Sequence, residues 1–181
     1  MKNVQAYLRA VSEVLLQLPH EQIADVIAVL EQARAEGRRI FVFGNGGSAA
    51  TASHIAVDLI KGTARPGQPR LKVIALNDGI PTLTAYANDY GYETVFAGPL
   101  EALAEPGDVA IGISGSGNSP NVLRAMDVAR ERELVTVGLT GFRGGKLKDS
   151  VDVCVIVPSD SMQQIEDAHL VILHAIFLAL C

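Results

Sequence analysis

The chain has no tryptophan, only two cysteines and 5% aromatic residues among its 181 positions. Cys154 lies inside an apolar run and Cys181 is the last residue. They offer no paired spacing for a zinc knuckle and too few thiols for a disulfide framework, which fits a reducing compartment. Long apolar runs are missing too. No window reaches the roughly 18 apolar residues of a membrane span, and the opening MKNVQAYLRAVSEVLLQLPHEQ lacks the apolar core and cleavage site of a leader. The expectation is a cytoplasmic protein without membrane contact. Positive charge is scarce: 15 Lys and Arg against 20 Asp and Glu leave a net charge of -5. That excludes the basic face on which general affinity for nucleic acid or an anionic membrane depends.

What the chain does have is apolar bulk. Hydrophobic residues make up 49% and charged residues 19%, rich for a small monomer, so part of the apolar surface is expected to be covered by a second copy of the chain. The length fits a single domain over 1–181, with a helical pair over 1–37 and an α/β core over 38–181. Helical spacing of Leu8, Val11, Val14 and Leu15, and of Ile23, Val26, Ile27 and Leu30, predicts helices at about 2–17 and 21–37. Short Val- and Ile-rich runs then follow at 40–43, 71–76, 109–113, 135–139 and 153–157. Runs apolar on both faces, separated by helical stretches, predict five strands of one parallel sheet flanked by helices in a three-layer α/β sandwich. The intervening helices are predicted at 47–61, 79–88, 93–104, 119–132, 144–149 and 163–180. The last is apolar nearly all round, so it is central to the fold or an interface.

Two strand-to-helix loops are chemically alike, Gly44-Asn45-Gly46-Gly47-Ser48 and Ser114-Gly115-Ser116-Gly117-Asn118-Ser119. Glycine lets the backbone approach an oxyanion closely, serine adds donors without bulk, and the following helix supplies free N–H groups. One such loop would be explained by turning and capping alone; two point to an anion site. The first is not the G-x-G-x-x-G fingerprint, Ala75-Leu76-Asn77 ends the second strand without an acidic residue, and no Gly-Lys-Ser/Thr closes either loop. A nucleotide cofactor is therefore not expected. A neutral, serine-lined cleft suits a sugar phosphate held by hydrogen bonds and a helix dipole. On the helix after the first loop, His54 and Asp58 are four residues apart and share one face.

At these residues the chain resembles the SIS (sugar isomerase) domain family, and more closely its phosphoheptose isomerase branch. The similar stretches are GNGGSAA at 44–50, HIAVDL at 54–59, AYANDYGYETVF at 85–96, GDVAIGISGSGNSPNVL at 107–123 and GLTGFRGG at 138–145. The resemblance implies a flavodoxin-like five-stranded sheet and a homotetramer, with the N-terminal helices at the interface and active sites between subunits. It also implies an aldose–ketose isomerase acting on sedoheptulose 7-phosphate. It places Asn45, Gly46, Ser48, Ser114, Ser116 and Ser119 around the phosphate, and Asp89 and Glu166 against the substrate. A set binding zinc in some members falls on His54, Asp58, Glu166 and His174. Four positions depart from the family: Asp58 replaces glutamate, Glu166 replaces glutamine, Gly115 replaces threonine, and Gly62 stands where an arginine is usual, leaving Lys61 or Arg65 as substitutes.

Aldose–ketose interconversion moves one proton between adjacent carbons and another between their oxygens through an enediol, so it needs a base and an acid. Asp58 is the candidate for the carbon-bound proton and His174 for the oxygens. One divalent metal per subunit, zinc first and manganese acceptable, suits two imidazoles and two carboxylates. Glu166 and His174 are separated by about 12 Å of helical rise, long for ligands of one ion, and His169 at i+3 is Glu166's alternative partner on spacing alone. The rival reading is a non-catalytic SIS-domain protein that binds a sugar phosphate or a protein partner such as a replication initiator, an option that the shortened acid at 58 keeps open.

Overall fold

The β-branched runs become five parallel strands in the computed structural model, which describes residues 2–181; Met1, where the predicted helical pair starts, lies outside the described residues. The strands are β1 (Arg39–Gly44), β2 (Lys72–Ala75), β3 (Val109–Ile113), β4 (Val135–Thr140) and β5 (Val153–Ile156). They lie in the order β2-β1-β3-β4-β5. Ile40 stands opposite Val73 on one side and Val109 on the other, which sets the register of the central strands. Successive side chains point to opposite faces of a strand, so Ile40 and Val42 enter one core while Phe41 and Phe43 enter the other. Phe41, Phe43 and Phe96 are fully buried, each stabilising the fold by about 2–3 kcal/mol.

Among the described residues seven α-helices complete the layers: α1 (Lys2–Leu15), α2 (His20–Glu36), α3 (Gly47–Val57), α4 (Ile80–Tyr90), α5 (Ala97–Leu103), α6 (Pro120–Glu131) and α7 (Met162–Leu180). Val26 and Leu30 of α2, Ile55 of α3, and Ile172 and Ile176 of α7 cover one face of the sheet. Leu100 of α5 with Val122 and Met126 of α6 cover the other. This is the three-layer α/β sandwich expected. The chain leaves β1 for β2 at one edge and returns to β3 on the other side of β1, so a crevice opens beyond the carboxyl ends of β1 and β3.

Three helices differ from their predicted spans. The stretch 47–61 is α-helical only to Val57, and Asp58–Gly62 forms one wider turn of π-helix. The Phe177 ring packs directly over Gly62, so a side chain at residue 62 would require the ring to shift. The stretch 93–104 becomes a short 3₁₀ turn, Tyr92–Thr94, followed by α5. Pro99 is tolerated in a first turn, whereas an earlier start would place it in the helix interior. The predicted helix at 144–149 is a single 3₁₀ turn, Leu147–Asp149.

Several apolar side chains find no cover within the chain. Val4 and Leu8 on α1, Ile80 and Tyr90 on α4, and Val171 and Leu178 on α7 are exposed, and α4 buries no residue at all. Among the described residues, no helix is long and apolar enough to cross a membrane. Cys154 and Cys181 are both free, and burial pushes the Cys154 thiol up to about 11.

His169 on α7 is 1% exposed, and its Nε2 lies 3.1 Å from the Thr140 carbonyl at the end of β4. A carbonyl only accepts, so Nε2 carries the hydrogen, and Nδ1 has no protein partner. Burial lowers the imidazole to about 4 from its ordinary 6.5, against the smaller opposing effect of the Thr140 bond. A neutral buried histidine stabilises the fold fully above its unfolded value, and that stability is lost as pH falls from about 6.5 towards 4. His169→Gln retains a donor for Thr140 without titrating. Urea unfolding across pH 7 to 4.5 should show an acid-side slope shallower by up to about 1.4 kcal/mol per pH unit in the variant; equal slopes would refute the assignment.

Candidate functional site

Where β1 ends, there is no room for a side chain. A Cβ on Gly44 would stand 2.6 Å from the Ile113 carbonyl of β3 and 2.7 Å from Ser48 Cβ. Gly46 follows with φ +56°, in the left-handed region that glycine enters without steric penalty. These two glycines fold the loop back against β3, and α3 starts immediately with Gly46 as its N-cap. The Ser48 and Ala49 amides turn back on the Asn45 and Gly46 carbonyls at 2.9 and 3.1 Å, and the amino end of the helix, with its dipole, is a place that receives an oxyanion. Asn77, just after β2, brackets the turn: its Nδ2 donates to the Gly44 carbonyl at 2.7 Å and its Oδ1 accepts from Gly44 N at 3.3 Å.

The second loop lies beside the first. Ser114 Oγ and Ser119 Oγ are 3.0 Å apart across it, and Ser116 Oγ accepts from the Asn118 amide at 3.2 Å. The segment after β4 supports it from behind, with Gly141 N donating to Gly115 O at 2.9 Å and Leu147 N to Gly117 O at 3.0 Å. Asn45, Ser48, Ser114, Gly115, Ser116, Ser119, Met162 and Glu166 line a cavity of about 130 Å³ between the loops. The Met162 sulfur stands 2.5 Å from where a Cβ at Gly115 would be. The space of the threonine usual in the family is thus filled by a thioether, and the hydroxyl is not replaced by another side chain at that point.

Glu166 belongs to this end of the site. Both carboxylate oxygens lie 3.1 Å from the position of a Cβ on Gly47, so the charge rests against the first turn of α3, where the helix dipole favours an anion. The other acid lies farther along. His54 Nε2 and His174 Nε2 are 3.0 Å apart, His54 Nε2 is 3.2 Å from Asp58 Oδ2, and His174 Nε2 is 3.6 Å from the same oxygen. Two imidazole nitrogens facing each other need a hydrogen on one or a cation between both. The separations match the roughly 3.3 Å between ligands around a four-coordinate divalent ion with bonds of about 2.0–2.1 Å. His54, Asp58 and His174 therefore form a possible metal-binding triad, partly open to solvent, and Glu166 is not in it. Although Asp58 is a short acid, it reaches both histidines.

These contacts show how the helices run. Gly47 meets Glu166 at one end and His54 meets His174 at the other, so α3 and α7 lie side by side in the same direction. The triad sits about two turns, roughly 10–12 Å, beyond the cradle. Of the other expected residues, Asp89 is exposed at the end of α4 with its Oδ1 accepting from Asn88 at 2.7 Å, and it lines neither cavity beside the loops. Lys61 and Arg65 are both exposed. His169 pairs with Thr140 and has no contact with Glu166. Sequence reasoning passed over Asn77, Met162 and Asn121. The last forms two hydrogen bonds with Asn45, and only its place two residues after Ser119 could have drawn notice.

Known proteins are similar to this chain over most of its length. The SIS domain profile matches residues 4–141. The phosphoheptose isomerase of Aquifex aeolicus is 41% identical over 179 residues, covering 97% of this chain and 93% of that protein. Its counterpart from Geobacter sulfurreducens is 42% identical over 177 residues, covering 96% and 93%. The solved structure of the phosphoheptose isomerase from Neisseria gonorrhoeae superposes with a TM-score of 0.92 at 32% identity, covering 99% of this chain and 97% of that one.

A carboxylate inside a cradle built for an anion opposes that anion. Glu166→Gln should tighten binding of inorganic phosphate several-fold at low ionic strength, the scale of about 1 kcal/mol for like charges some 4 Å apart in water-like surroundings. Calorimetric titration of both proteins checks this. Equal or weaker affinity in the variant would mean that Glu166 does not face the bound anion.

Proposed function

The chain belongs to the SIS domain family, among its phosphoheptose isomerases, and on that footing we propose that it converts sedoheptulose 7-phosphate to the aldose heptose 7-phosphate through an enediol. The observation that carries this reading is the pairing of α3 with α7, which joins a cradle of amides and serines to an acid–imidazole cluster two turns away. A sugar with its phosphate at one end of the carbon chain and its carbonyl near the other matches that layout.

In this reading the phosphate is received by the amides opening α3, the hydroxyls of Ser48, Ser114, Ser116 and Ser119, and the loop held by Asn45 and Gly46. Glu166, an acceptor when ionised, takes hydrogen bonds from sugar hydroxyls between the two ends. Asp58 carries the proton between C1 and C2, and its contacts with both histidines orient the carboxylate. His174 serves the oxygens, giving a proton to one as the other loses its own. Where His54, Asp58 and His174 instead hold a divalent metal, zinc first, it would supply Lewis-acid polarisation of the carbonyl, and His174 Nε2, then a ligand, would no longer transfer the proton. No nucleotide takes part.

The same reading extends to assembly. The uncovered apolar faces of α1, α4 and α7 are the surfaces on which copies of the chain would meet as a homotetramer. Val57 and Val171 each lie three residues from a histidine of the triad and are exposed, so a neighbouring subunit would close over the reacting end and bring residues such as Asp89 to it. Two free thiols and the absence of a disulfide fit the cytoplasm.

Incubation with sedoheptulose 7-phosphate, with and without zinc or manganese, should yield the aldose; no product with any metal, alongside retained binding of the sugar phosphate, would leave a binding protein instead. Asp58→Ala should lower turnover by roughly 10²–10⁴-fold while sparing phosphate affinity. Unchanged turnover would remove Asp58 from the reaction.

A further inference from the structure

The first loop has almost no side chains with which to hold its shape. Between Gly44 and the pair Gly46-Gly47, Asn45 is the one residue with a polar handle, and that handle is engaged. Asn45 Nδ2 donates to Asn121 Oδ1 at 2.8 Å, and Asn121 Nδ2 donates back to Asn45 Oδ1 at 2.8 Å, closing a cyclic pair of amides. Asn121 is 2% exposed in the first turn of α6, immediately after the second loop. Tyr92, in the 3₁₀ turn that follows Asp89, places its hydroxyl 3.1 Å from the same Asn45 oxygen.

The polarity of this cluster is fixed from the buried end. The Val122 amide donates to Asn121 Oδ1 at 3.0 Å, so an oxygen must face it. The Asn121 NH₂ group is then forced towards Asn45, whose oxygen must accept it, and the Tyr92 hydroxyl in turn must donate. One backbone N–H thus orients two amides and a phenol that join three separate loops. Asn45 Oδ1 accepts from two partners and one of its N–H groups is occupied, leaving a single hydrogen for any ligand.

We propose that Asn121 is a positioning residue: acting through Asn45 and seconded by Tyr92, it holds the glycine loop in register with the serine loop, so that the phosphate cradle is preformed. A glycine-rich loop loses much backbone freedom when ordered, and the clasp makes that loss part of folding and not of each binding event. The role in catalysis rests on the isomerase reading above; the ordering of the loop does not.

Asn121→Asp separates this role from simple helix capping. Aspartate still accepts from Val122 and Asn45 but has no hydrogen for Asn45 Oδ1, so a capping role is rescued and the clasp is not. The measurements are amide hydrogen exchange over 44–50 in the full chain, affinity for inorganic phosphate, and KM and kcat with sedoheptulose 7-phosphate. The expected result is exchange faster by roughly tenfold, phosphate affinity lower by a similar factor, and KM raised with kcat changed less, as for loss of hydrogen bonds in a partly buried pair. Native-like exchange overturns the proposal even if KM shifts, because added charge alone would weaken phosphate binding. Faster exchange with native phosphate affinity overturns it as well. Should Asn121→Asp fail to fold, Tyr92→Phe reaches the clasp from its exposed side, and the same readouts in the same directions decide. If the native protein shows no turnover, the isomerase reading falls, while exchange and phosphate affinity still judge the clasp.

Discussion

The carboxyl ends of β1 and β3 come so close at Gly44 that no side chain fits between them. The site depends on that contact. Because residue 44 presses against the Ile113 carbonyl, the first loop turns at once and α3 begins within three residues, bringing its N-terminus beside the serine loop that leaves β3. A methyl group there would have to move β3 or Ser48, and both form walls of the cavity.

From that contact the rest is carried by helices. α3 leads from the cradle to His54 and Asp58, and α7, fastened to β4 by the buried His169, leads in parallel from Met162 and Glu166 to His174. The π turn after Val57 lets the chain pass beneath Phe177 while Asp58 keeps contact with both imidazoles. Side chains far apart in sequence thereby meet without any one loop holding them all.

Much of this was legible in the residues. Strands such as Ile40–Phe43 and Val109–Ile113 announce themselves because both faces are buried and both need apolar side chains, and the two Gly- and Ser-rich loops stand out for their lack of bulk. The i,i+4 spacing of His54 and Asp58 and the family pattern together led to a set of four, of which three, His54, Asp58 and His174, come together. Other features leave no local trace. Asn45 and Asn121 are 76 residues apart, and a single pair of amides has no period to detect. The ring that packs over Gly62 in the π turn belongs to Phe177, near the far end of the chain. Expected near one ion, Glu166 and His174 instead reach different ends of the cleft, because eight residues of straight helix separate them by more than carboxylate and imidazole span here. Asp89 was expected at the substrate and stands at the end of α4, outside both cavities beside the loops.

Because α3 and α7 run the same way, their peptide dipoles add. Both amino ends, the positive poles, open on the serine-lined cavity, and His54 and Asp58 lie towards the opposite pole of α3. A ligand along the cleft therefore meets a field with a direction. With a carboxylate at each end, Glu166 by the amino poles and Asp58 beyond, the direction that an elongated anion would take along the cleft rests on the summed helix dipoles and not on side-chain charge.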